Sequence, residues 1–119
     1  SIINTETLKV EDSLIEIGLV NSGGSLVAPT SDANIDVGVI LHYYSGSAKK
    51  AAMYWDDSVS RLVFADETSE NTSVLTASSY ADVEFKGLFI NDCAGQSQVI
   101  SCTGTERFLE NITVDGGSF

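Results

Sequence analysis

Short bursts of apolar residues, separated by clusters of Gly, Ser, Asn and Asp, recur along the chain. Val, Ile, Thr, Tyr and Phe dominate them, and these residues suit a pleated, half-buried surface. The first burst covers residues 7–10. In the second, 13–20, Leu14, Glu16 and Gly18 alternate with Ile15, Ile17 and Leu19, and a period of two puts the last three on one face. Residues 21–25 (Asn-Ser-Gly-Gly-Ser) read as a turn, 26–28 as a short strand and 29–34 as a polar loop. Segment 35–44 is nearly continuous in apolar residues (Val37, Val39, Ile40, Leu41, Tyr43, Tyr44), the pattern of a strand covered on both faces. Ser45-Gly46-Ser47 turns the chain into 49–55, and Asp56-Asp57-Ser58 turns it again into 60–65. Residues 35–65 therefore predict a three-stranded meander with tight connections.

Further on, 66–72 reads as an acidic loop and 73–76 as a strand. In 82–91 Val83, Phe85, Gly87 and Phe89 share one face of a predicted strand, and 98–103 and 107–114 supply the last candidates. No window keeps a 3.6-residue period over three turns, so almost no helix is expected. The pattern predicts an all-β fold of roughly seven to ten strands, either an antiparallel β-sandwich-like arrangement or an open β-meander. One domain is expected to span 1–119, as a whole or as a segment of a longer chain.

Charge narrows the partners. Six Lys+Arg face 17 Asp+Glu, a net charge of -11, and the sequence pI is near 4.1. Such a field repels phosphate backbones and anionic lipid surfaces, so neither nucleic acid nor membrane is an expected partner. The acids are scattered (Glu11-Asp12, Asp56-Asp57, Asp66-Glu67), as on solvated loops and strand edges. No apolar run reaches the roughly 18 residues that a membrane-crossing helix needs.

Three stretches carry a family resemblance: Asp12-Ser-Leu-Ile-Glu-Ile-Gly18, Asp36-Val-Gly-Val-Ile-Leu-His-Tyr-Tyr-Ser-Gly-Ser47, and the turn Tyr54-Trp-Asp-Asp-Ser58 with Arg61-Leu-Val-Phe64 after it. Residues 12–65 thereby resemble a β-rich module of virion structural and tail-fibre-like proteins of tailed bacteriophages, notably those of marine bacteria. Residues 66–119 read as the continuation such modules have, and the two cysteines depart from the pattern. The resemblance implies a virion component (tail fibre, neck appendage or capsid decoration) that assembles as a trimer or larger oligomer with itself and with other virion proteins. It carries no catalytic residue across, and no cofactor.

Candidate chemistry is sparse. The one histidine, His42, lies inside the apolar strand, and no Gly-x-Ser-x-Gly elbow or comparable frame surrounds a nucleophile. A packed or interface histidine is the plainer reading, and no enzymatic activity is expected. Asp32 with Asp36, Asp56 with Asp57, and Glu67 with Glu70 offer paired carboxylates for glycoside hydrolysis. Acids on exposed turns rarely acquire the raised pKa that this chemistry requires, and no loop spacing for Ca²⁺ is present. Cys93 and Cys102 flank a hairpin-like segment and could meet across it. An extracellular setting favours the disulfide and assembly in a reducing cytosol favours free thiols. Too few Cys and His are present for a four-ligand zinc site, so no metal is expected. The sequons at Asn71 and Asn111 match by chance in a chain rich in Asn, Ser and Thr.

The aromatic residues Tyr43, Tyr44, Tyr54, Trp55, Phe64, Phe85 and Phe89 read first as core or intersubunit seam. Val37, Val39, Leu41, Tyr43 and Tyr44 are the expected interface. Tyr54, Trp55, Asp56 and Asp57 are the expected ligand contacts if the module instead grips a host surface glycan, with Trp55 at a loop tip.

Overall fold

The computed structural model describes residues 2–91. Two compact units divide the chain, Ser1–Glu84 and Phe85–Phe119. In the first, six strands form two antiparallel sheets, and the described residues contain no helix. In the second, residues 85–91 carry no strand. The predicted strands 98–103 and 107–114, Cys93, Cys102 and Asn111 lie outside the described residues.

The small sheet is a hairpin of β1 (Val20–Ser22) and β2 (Ser25–Val27). Gly23 and Gly24, at φ 62° and 87°, supply the two left-handed positions of its turn, and Asn21 Oδ1 accepts the Gly24 amide at 3.2 Å. The large sheet is a meander in the order β3 (Val37–Tyr44), β4 (Ala48–Asp56), β5 (Arg61–Asn71) and β6 (Val74–Tyr80). Its first three strands are the meander that the sequence predicts, with both turns in place.

Other expectations fail. Residues 7–10, 13–19 and 82–84 are not strands despite their alternation, and in 85–91 the predicted continuation is also absent. Alternation supplies a greasy side, but a strand also needs a neighbouring backbone to complete its hydrogen bonds. Residues 66–71 are not a loop but the second half of β5, and β6 runs on to Tyr80. There the ladder to β6 carries a polar strand. The tip is a two-residue turn with Thr72 and Ser73 both at positive φ, and Glu70 Oε2 accepts the Ser73 amide at 2.8 Å.

The register breaks on either side of Glu67, and this irregularity parts β5 from β4. Residues 61–65 pair with β4, whereas 67–71 pair with β6 alone. The departing half is held by Thr68 Oγ1, which donates to the Lys50 carbonyl at 3.2 Å, and by a Lys49–Glu67 ion pair at 3.0 Å. Leu75 and Ala77 of β6, with Val63, then pack against a core of Ala52, Tyr54 and Ala65, the buried residues of the described chain. β3 and β6 are opposite edges of the sheet, yet their beginnings meet. The Asp36 amide donates to the Ser73 carbonyl at 2.8 Å, and the Leu75 amide donates to Asp36 Oδ2 at 2.7 Å. The sheet is therefore curled, with its core on the concave side.

Candidate functional site

Side chains alternate across a strand, so the curl that buries Tyr54 turns its neighbours Met53 and Trp55 outward. Cross-strand register then lines up apolar partners on that convex face. Val37 stands opposite Trp55, which stands opposite Leu62; Val39 opposes Met53, which opposes Phe64; Leu41 opposes Ala51. Trp55 is 47% exposed, Leu62 63% and Leu41 52% among the described residues.

One end of this face is polar. Tyr43 reaches across it, and its hydroxyl donates to the Asp66 carbonyl at 2.6 Å. Lys49 and Glu67 form their ion pair beside it; the hydrogen bond that Lys49 donates to Glu67, followed by the carboxylate's charge, holds the Lys49 ammonium above the usual lysine range. Asp66 Oδ1 is buried at this rim with no partner among the described residues. An apolar centre bordered by polar groups is how protein–protein contact surfaces are built.

Of the five residues expected at an interface, the structure brings four to one face and leaves one apart. Val37, Val39, Leu41 and Tyr43 share the convex face, but Tyr44 projects from the other side of β3, because consecutive residues point oppositely. The expectation that the apolar strand 35–44 is covered on both faces does not hold among the described residues: there β3 is an edge strand, exposed along almost its whole length. Met53 and Leu62 complete the face without having been singled out from sequence, together with Phe64, which was read there as core or intersubunit seam. The signal was there in the turns, since the three-residue loop 45–47 fixes Tyr44 opposite Ala48 and so sets Val39 beside Met53.

The four residues expected to contact a glycan are divided between two faces. Tyr54 is 1% exposed and belongs to the core, where burial, then the charges of Asp56 and Asp36, push its hydroxyl above the usual tyrosine range. It cannot share a stacking platform with Trp55. Trp55 is not at a loop tip either; it lies within β4, lining a cleft of about 290 Å³ with Gly18, Pro29, Asp32, Ile35 and Asp57. A larger cleft of about 560 Å³ opens over Tyr54, between Asp36, Asp56, Asp57 and the β6 residues Leu75 and Ala77.

The carboxylates around these clefts are occupied with holding turns. Asp36 Oδ1 accepts the Asp57 amide at 2.9 Å while Oδ2 holds Leu75. Asp56 Oδ1 accepts both the amide and the hydroxyl of Ser58, at 3.0 and 2.6 Å, and Asp32 Oδ1 accepts the Asn34 amide at 2.8 Å. Glu67 is paired with Lys49 and Glu70 caps the β5–β6 turn. His42 is exposed on β3 opposite Lys50, and no carboxylate or nucleophile bonds it among the described residues. Asn71 is exposed at the end of β5, where its Oδ1 accepts the Thr72 hydroxyl at 3.1 Å. No protein-family model, no curated protein and no solved structure matches this chain.

Proposed function

We propose that this chain is a non-enzymatic structural module that assembles with copies of itself through the convex face of β3, β4 and β5. The observation that carries the reading is the row of Val39, Leu41, Met53, Trp55, Leu62 and Phe64, all open to solvent in register, over a sheet whose buried core among the described residues is Ala52, Tyr54 and Ala65. Their open area is on the order of 600 Å², at the top of the range for the largest apolar patch on a monomer. Covering it removes water from that surface and supplies stability that so small a core lacks.

The resemblance of residues 12–65 to phage appendage modules supports a place in a virion, as part of a tail fibre, neck appendage or capsid decoration. A trimer or larger assembly with sandwich-like packing of sheets fits both the exposed face and the unpaired edge of β3. Light scattering on the purified chain over a range of concentrations and salt tests it. Assembly is expected to tighten severalfold from low to high salt, because salt screens the repulsion between chains of net charge -11 while leaving the apolar contact intact. Met53→Lys, which lowers that repulsion, should nevertheless weaken assembly by tenfold or more. A chain that stays monomeric throughout ends the proposal.

A carbohydrate-binding module is the second reading, favoured by the half-exposed Trp55 ring beside polar Thr30, Ser31, Asp32 and Asp57. A glycan array with Trp55→Ala as control tests that one; binding indifferent to the substitution removes it.

A further inference from the structure

Two unfinished parts of this molecule have complementary chemistry. The first is the outer edge of β3, eight residues long, with no strand beside it among the described residues and apolar side chains on both faces. A long, exposed, apolar edge presents unpaired amides and carbonyls and is a template for another strand. The second is the amino-terminal arm, residues 2–19. Its residues 13–19 have the alternation of a strand, but the arm makes no backbone–backbone hydrogen bond among the described residues, and it leaves Leu14 80%, Ile15 73% and Ile17 53% exposed.

We propose, resting on the self-association above, that the arm of one copy adds as a strand to the β3 edge of a second copy. The arm's root is already beside that edge: a methyl group on Gly18 would stand 3.0 Å from Val37 Cγ1. Residues 2–17 can extend to roughly 50 Å, ample to cross to a neighbour. The arm lies off its own edge although it is long enough to fold back, and the occupant proposed for that edge is the arm of a second molecule.

Area and charge agree with this occupant. Leu14, Ile15 and Ile17 added to the convex face bring the apolar surface on offer to roughly 1,000 Å² per copy, above the ~800 Å² per partner that stable interfaces bury. An antiparallel arm set with Gly18 near the Val37 end carries Glu11 and Asp12 to the other end of β3, where Lys49 and Lys50 stand opposite Tyr43 and His42. Lys50 makes no ion pair among the described residues. The arm's acids thus come to the end of β3 where Lys50 is without an ion pair among the described residues, and its main-chain groups satisfy the edge.

The experiment uses the full chain and Ile15→Pro, which removes one amide and cannot sit in a ladder, at a position exposed and unpaired in the monomer. Sedimentation velocity gives the association constant and hydrogen exchange reports the β3 amides. The expected result is association at least tenfold weaker than wild type, with loss of exchange protection in Val39–Tyr43 at concentrations where the wild type is assembled. A variant that assembles as tightly as wild type, or that weakens with β3 protection unchanged, overturns arm exchange while leaving association through the sheet face standing. A wild-type chain that is monomeric at every concentration, with β3 protected by its own arm or not at all, overturns both.

Discussion

The Asp36 carboxylate accepts the Leu75 amide at 2.7 Å on one oxygen and the Asp57 amide at 2.9 Å on the other. One side chain before β3 thereby ties the β4–β5 turn to the start of β6, the strand farthest from β3 in the sheet order. Hydrogen bonds to a charged acceptor contribute about 1.5–3 kcal/mol each, and this site is only partly buried, so Asp36→Ala should cost about 3 kcal/mol. Asp36→Asn, which keeps one acceptor oxygen, should cost roughly half of that. Urea midpoints of the two variants check this order. Equal midpoints for wild type and Asp36→Ala would mean that the curl is held by something else.

Gly38 stands opposite Tyr54 in the β3–β4 ladder. A methyl group there would lie 2.5 Å from the Tyr54 Cα and closer still to the Met53 carbonyl oxygen, and both are backbone atoms that no rotamer change can move. Gly38→Ala must therefore push β3 from β4, with an expected loss of about 2 kcal/mol or more. Gly87→Ala is the control, since nothing lies within 4 Å of a side chain added there. Thermal melts in which the two variants behave alike would contradict the close approach of β3 to β4.

Tyr54 makes stability depend on alkaline pH. Burial, with Asp56, Asp36 and Tyr80 adding to it, raises its pKa in the folded chain above the unfolded value near 10. Above about pH 10 the unfolded chain releases the proton and the folded chain retains it, so stability falls as pH rises through that value toward the folded pKa. Tyr54→Phe removes this component. It should be within about 1 kcal/mol of wild type at pH 7 and lose less stability between pH 9 and 11. Unfolding curves that steepen equally with pH in both proteins would exclude Tyr54 as the group responsible.

The meander of β3, β4 and the first half of β5 was legible because each strand is bounded by turn residues that act locally. Ser45-Gly46-Ser47 and Asp57–Ser60 fix loop length, loop length fixes register, and register fixes which apolar residues share a face. The second half of β5 was not legible: Asp66, Glu67, Ser69, Glu70 and Asn71 are polar, and only the ladder to β6 makes them a strand. The arm failed in the opposite sense. Leu14, Ile15 and Ile17 have the right spacing, but no backbone among the described residues pairs with them.

Tyr54 and Trp55 show where sequence stops for the candidate site. Adjacent, aromatic and next to two acids, they read as one ligand-gripping group, and period two already places them on opposite faces. Which face would be core was undecided, since both carry apolar residues. The amino-acid sequence by itself determined the β class, the tight turns, the acidic charge and the two sets of alternating side chains. Only the tertiary structure decided that β6 folds over the Tyr54 side, through Asp36 and the irregularity at Glu67, and left the Trp55 side open. The reason is physical: alternation is encoded locally, whereas the direction of a sheet's curl depends on contacts between residues as far apart as 36 and 75.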